Sequence, residues 1–155
     1  MFVAAALSIV AMLAASPAVP AAAAETVRQY QNQGDPDASE NCQTATSYAG
    51  YQWGGVRLCA YRWGAHVWSG GTIQIYVVGT DHKVWTKWRN PNGSFSAWQI
   101  LRDGKVRPGE HWSIEVTRIE GEPLLRVIGD EAAERRWCIR RGIDSSWGLW
   151  GLCTT

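Results

Sequence analysis

From Tyr48 onward apolar and polar residues alternate, and no stretch holds the three-and-four spacing of an amphipathic helix. Four alternating runs, Trp63 to Trp68, Thr72 to Val78, Lys83 to Arg89 and Phe95 to Leu101, predict strands. Gly70-Gly71, Gly79-Thr80-Asp81-His82 and Asn90-Pro91-Asn92-Gly93 separate them. Asn-Gly between two alternating runs is the strongest hairpin signal in the chain. Arg102 to Glu110 reads as a loop around Gly104, Pro108 and Gly109. Four further runs follow: Trp112 to Ile119, Leu124 to Ile128, Arg135 to Arg140 and Trp147 to Leu152. Ahead of them all, Tyr51 to Ala60 predicts a hairpin turning at Gly54-Gly55, and residues 25–47 read as a polar, flexible arm. The expected fold is all-β, a single domain over 48–155. It holds two four-stranded antiparallel meanders, blade-like units at 62–101 and 112–153, plus the N-terminal hairpin.

The two meanders repeat at an offset of 50 positions. Ile75-Tyr76-Val77-Val78-Gly79 matches Leu125-Arg126-Val127-Ile128-Gly129, and Trp88 falls opposite Cys138. Trp98 lies one residue from the partner of Trp147. A period of about 50 residues made of four antiparallel strands has the size of a propeller blade. Two such units do not close a ring by themselves. They either oligomerise with further copies of the chain or pack face to face as a single-chain β-sandwich.

Residues 1–24 carry no charge, and the apolar run from Phe2 to Leu13 is too short to span a bilayer. Small residues follow it up to Ala22-Ala23-Ala24, the pattern of a secretory signal, although no Lys or Arg precedes the run. The mature chain is expected to start at Glu25 and to be secreted, with no membrane insertion after cleavage. Four cysteines in an exported chain imply two disulfides. Of the three possible pairings, Cys42–Cys59 with Cys138–Cys153 is favoured because each closes a loop of hairpin size; a clasp from Cys42 to Cys153 stays open. No pair has the C-x-x-C spacing of a redox or zinc site.

Charge and motif content narrow the function. With 15 basic and 14 acidic residues the net charge is +1, which gives no electrostatic footing for nucleic acid. No Gly-x-Ser-x-Gly, His-Glu-x-x-His or phosphate-binding glycine loop is present. His66, His82 and His111 are not spaced as metal ligands, and His82 and His111 read as solvent-facing or capping groups. Asp81, Glu115, Asp130 and Glu131 lie mostly in turns or on polar strand positions rather than as a glycosidase pair. Asn92-Gly93-Ser94 fits a glycosylation acceptor, but its turn role explains it. Glu134-Arg135-Arg136 with Arg140-Arg141 reads as a solvated basic strand face. The expectation is a protein without enzymatic activity, cofactor or metal.

Tryptophan is the compositional anomaly: ten residues, against two phenylalanines. An indole N–H wants a partner, so a core is made more easily from Leu and Val. Either many indoles pack in β layers or several are held at a surface for binding.

Ile75 to Trp88, which includes Gly79-Thr80-Asp81 and Trp85, followed by Ser96-Ala97-Trp98-Gln99-Ile100-Leu101, resembles one blade of the bacterial and invertebrate propeller lectins. Those fucose-binding and tachylectin-like repeats run as a strand, a Gly-x-Asp turn, a Trp-containing strand and a closing Trp-x-x-Leu. The likeness covers about 30 residues, Thr72 to Leu101, and is poor in the second unit, where Glu131 and Arg135 replace Asp81 and Trp85. It implies recognition of cell-surface glycans, with Asp81, Trp85, Lys87, Trp88 and Trp98 as candidate ligand-binding residues and Arg126 and Trp147 in the second unit. The competing expectation is an adaptor or structural subunit of a secreted multi-protein complex of toxin or surface type. The partner is then a secreted protein, with homo-oligomerisation a further possibility.

Overall fold

The computed structural model describes residues 28–32, 34–35, 37–39, 41–109, 114–119, 122–128, 136–142 and 146–153. The expected leader, residues 1–24, lies outside them, as do His111, Trp112, Asp130, Glu131, Glu134 and Arg135. The described residues form strands and no helix: β1 Arg28–Asn32, β2 Gln43–Tyr48, β3 Tyr51–Leu58, β4 Trp63–Val67, β5 Ile73–Val78 and β6 Lys83–Arg89. They continue with β7 Gln99–Lys105, β8 Glu115–Ile119, β9 Glu122–Ile128, β10 Arg136–Arg140 and β11 Gly151–Leu152. All pairings are antiparallel. A central five-stranded sheet runs β1-β4-β5-β6-β7, a C-terminal sheet runs β11-β10-β9-β8, and β2-β3 form a separate hairpin. Both expected four-stranded meanders are present, as is the N-terminal hairpin.

Their details differ from expectation in four places. The hairpin turns at Ala49-Gly50, both with positive φ, and Gly54-Gly55 lie inside β3 instead. There they sit opposite a register shift between Ala45 and Ser47, because two glycines at positive φ serve a bulge as readily as a turn. The polar arm is not a free tail: Arg28–Asn32 pairs along β4, and Gln43–Tyr48 is half of the hairpin. Ladder bonds come from the backbone, so a strand at a sheet edge does not need apolar side chains. Phe95 makes only an isolated bridge to Arg89, and β7 starts at Gln99 and runs to Lys105 through the expected loop. Arg102 and Asp103 take positive φ there, next to the register shift against β6. Finally, Trp147 bridges Arg141, and only Gly151 and Leu152 of the last expected run form a strand.

Alternation sends successive residues of the central sheet to opposite faces, and both faces are covered. On one, Trp53 of the hairpin packs with Ala65 and Ile75, supported by Tyr48, Ile73 and Trp98. On the other, Tyr76, Val78, Val84 and Leu101 meet Val116, Leu125, Val127 and Ile139 of the C-terminal sheet. The domain is thus three layers: hairpin, central sheet, C-terminal sheet. Two devices fix the second interface. Gly64 on β4 lies so close to Val116 of β8 that no side chain fits between them. Gln31 on β1 donates to the carbonyls of Trp63 and Ile114, both at 3.0 Å, and accepts from the Val116 N–H at 2.8 Å. Tyr30, Tyr48 and Trp63 form an aromatic triangle, centroids 5.0 to 5.6 Å apart, that joins β1, the hairpin and β4. The disulfides are Cys42–Cys59, clasping the hairpin base, and Cys138–Cys153, tying β10 to the segment after β11.

Candidate functional site

The covering layers do not reach the ends of the central sheet, and a concavity opens on each face. The first lies beside the hairpin and has a volume of about 350 Å³. Val77, Gly79, Thr80, Asp81 and Trp85 from the β5–β6 hairpin form one side, and Gly55, Val56 and Trp98 form the other. Asp81 stands in the tight turn, where its Oδ1 accepts the Lys83 backbone N–H at 3.1 Å and the Trp85 indole N–H at 3.0 Å. That pair of bonds fixes carboxylate and ring together. The Trp98 indole donates to the Gly54 carbonyl at 3.0 Å, and a Cβ on Gly55 would lie 2.7 Å from its nitrogen. Gly55, at φ 72°, is therefore required by both its backbone and the ring beside it. Both indoles are held rigid, and the walls are mostly apolar.

The second concavity, about 620 Å³, lies on the opposite face, where the C-terminal sheet ends. Trp68, Thr72, Gln74, Trp88 and Asn90 rise from the central sheet, and Glu122 and Arg141 close it from the C-terminal sheet. Gln74 and Trp88 are direct cross-strand partners, so their side chains stand side by side on that face. Gln74 donates to Thr86 Oγ1 at 3.0 Å, and Thr86 passes the bond to the Ile75 carbonyl at 2.9 Å. Arg141 pairs with Glu122 at 3.1 Å and lies over the Trp68 ring, 4.1 Å from its centroid. Its charge is thus neutralised within the groove. Two positions along β5 from Gln74, Tyr76 is fully buried. Burial holds its hydroxyl well above the ordinary value of 10.0, with Arg141 lowering it and Glu122 raising it.

Trp88 differs from the other indoles around it. Trp53, Trp85, Trp98 and Trp150 each donate their N–H to a protein acceptor. Trp63, Trp68 and Trp147 are engaged by neighbouring rings. Trp88 is half-buried and belongs to neither apolar cluster, and its indole has no ring, cation or hydrogen-bond partner among the described residues.

The sequence candidates divide between these places. Asp81, Trp85 and Trp98 come together in the first concavity, and Trp88 faces the second. Lys87 acts as a clamp: its Nζ donates to the Trp53 carbonyl at 2.6 Å and lies over the Phe95 and Trp98 rings. Trp147 packs edge-on against Tyr76 within the inter-sheet core. Arg126 faces Glu115 at 3.7 Å and opens toward a third hollow beside Leu149 and Leu152. His82, read as a solvent-facing or capping group, is half-buried in its turn with its ring against Tyr61, and His66 is fully buried against Trp68. Arg141, read from sequence as part of a solvated basic strip, is a wall of the groove. Sequence reasoning passed over Trp68, Thr72, Gln74, Asn90 and Glu122. The available signal was the polar residues at Thr72, Gln74 and Thr86, all at one parity of a strand pair otherwise rich in Ile, Val and Trp. Among the described residues no three His, Cys, Asp or Glu side chains group as metal ligands. Comparison with protein-family models, with curated proteins and with solved structures returned no match.

Proposed function

We propose that this is an exported, non-enzymatic carbohydrate-binding protein that holds a neutral sugar in the groove between Trp88 and the Glu122–Arg141 pair. The observation that carries this reading is Trp88, an indole presented to a polar groove with its ring and N–H unused by the described residues. The C–H face of a pyranose stacks on such a ring. Gln74, Asn90 and Glu122 are planar groups suited to fixing hydroxyls, and the groove volume lies in the range of small-ligand sites. Because the charged residues lining the groove among the described residues, Glu122 and Arg141, are paired with each other, an uncharged ligand suits it better than an anionic one. Export is supported by the N-terminal pattern and by two disulfides, which are characteristic of extracellular proteins. The blade-like meanders and the 30-residue likeness to propeller lectins favour the same class.

A glycan array of neutral hexoses and amino sugars, read by binding and by quenching of tryptophan fluorescence, tests the proposal. Trp88→Ala should weaken the best ligand at least about tenfold while leaving the thermal melt close to wild type, since Trp88 supports neither core cluster. Silence across the array, or an unaffected Trp88→Ala variant, removes the assignment. A protein partner is the second reading, favoured by Leu149 and Leu152, 82% and 52% exposed beside the two-residue edge strand β11. Under that reading Leu149→Asp abolishes association with the partner and spares any sugar binding.

A further inference from the structure

The concavity beside the hairpin has the opposite electrostatic character from the groove, and we infer that it is a separate site for a small organic cation of the alkyl- or quaternary-ammonium class. Among the described residues, Asp81 is the only charged one lining it. The carboxylate uses Oδ1 for both of its hydrogen bonds, and it has no cationic partner among the described residues. The nearby ammonium groups are committed elsewhere. Lys83 extends to Asp103 at 3.8 Å, and Lys87 is bonded to the Trp53 carbonyl at 2.6 Å.

The remaining walls suit an alkylated cation rather than a hydrated one. Trp85 and Trp98 supply two aromatic rings, and Val56 and Val77 supply apolar surface. Indole rings attract cations through their quadrupole, and the attraction increases as the cation sheds water. A quaternary ammonium group is weakly hydrated and has apolar surface to bury, so it gains from both kinds of wall. Lys87 Nζ already lies 5.6 Å from the Trp98 centroid, so Trp85, with no cation over its ring among the described residues, is the main cation-attracting wall. A sugar fits this cleft less well, because among the described residues Asp81 and Thr80 are the only polar side chains in its lining apart from the committed indole N–H groups. Both rings are fixed by hydrogen bonds before any ligand arrives, so little ordering is required on binding.

Titration calorimetry of the full-length oxidised protein with choline, and with its neutral carbon isostere 3,3-dimethylbutan-1-ol, tests the site. Choline should bind saturably and at least about tenfold more tightly than the isostere. Asp81→Asn keeps an oxygen acceptor for Trp85 and for the Lys83 N–H while removing the charge, and should abolish that preference. If this variant shifts the melting temperature, magnetisation transfer from the choline methyl protons to the Trp85 and Trp98 indoles in the wild-type protein decides the question. Equal affinity for choline and isostere, or no transfer to these rings, overturns the site. Co-sedimentation with phosphatidylcholine vesicles but not phosphatidylglycerol vesicles assigns the source to a lipid headgroup. Binding of choline without co-sedimentation assigns it to a soluble cation. Trp88→Ala should leave choline binding unchanged, so this site and the proposed sugar groove succeed or fail independently.

Discussion

A phenol buried without a hydrogen-bond partner is costly, and Tyr76 is one: its hydroxyl finds no acceptor or donor among the described residues. Desolvation favours its neutral form, which raises the pKa in the folded state above the ordinary 10.0. The sign of the pH effect follows. Below pH 10 both folded and unfolded states keep the proton, and this contribution to stability is fully present. Above it the unfolded chain ionises first, so stability falls as pH rises toward the folded-state pKa. Urea denaturation between pH 8 and pH 11.5 should show this alkaline loss, and Tyr76→Phe should reduce it. At pH 7 the same variant should be as stable as wild type or more stable by up to about 1 kcal/mol, since it removes an unsatisfied group. A loss of more than about 2 kcal/mol at pH 7 would show that the hydroxyl is bonded, through water or otherwise.

At the level of elements, edge management and close approach decide which strands meet. β1 protects the β4 edge of the central sheet, and its Gln31 side chain bonds Trp63 of β4 and reaches across to Ile114 and Val116 at the start of the C-terminal sheet. Gln31→Ala leaves the Val116 N–H and two carbonyls without that partner and should cost about 1–3 kcal/mol by urea denaturation. Gly64→Ala pushes a methyl into Val116 at the seam between β4 and β8 and should cost about 1–3 kcal/mol in the same measurement. The two variants act on neighbouring parts of one interface, so their combined effect should depart from the sum. Either variant within about 0.3 kcal/mol of wild type would mean the β4–β8 approach is looser than described.

At the scale of the whole molecule, each disulfide encloses a segment that lines one of the two concavities. Cys42–Cys59, with a separation of 17, closes the hairpin that carries Gly55 and Val56 to the cleft. Cys138–Cys153, with a separation of 15, encloses Arg141 and its bridge to Trp147. Loops of this size stabilise the fold by about 3 kcal/mol when cross-linked. Replacing Cys138 and Cys153 by Ser should lower stability by about that amount and loosen the Arg141 wall of the groove. Sugar binding should then fall more than choline binding. The Cys42/Cys59 double replacement should show the reverse order, measured on both ligands under conditions where each variant is folded. Equal losses at both surfaces would indicate that the layers loosen together.

Local information settled the strand class and most strand positions. Lys83–Arg89 is a strand over the expected residues, and the Asn90 to Gly93 turn forms with the Gly93 N–H bonded to the Asn90 carbonyl at 2.9 Å. Both short-range disulfides were likewise legible, because loops of hairpin size favour local pairing. Side-chain alternation and turn chemistry act over a few residues, so sequence alone carries them. What the sequence could not reveal was which layer covers each face of the central sheet. β5 is buried along nearly its whole length, so its alternation points to two interiors rather than to an inside and an outside. Only the packed structure decided that Asp81, Trp85 and Trp98 share one concavity while Trp88 opens on the other face. It also brought Glu122 and Arg141, far along the chain, against Trp68 and Gln74. The physical reason is that a strand fixes which side chains share a face, whereas the neighbouring layer fixes where that face stops being core.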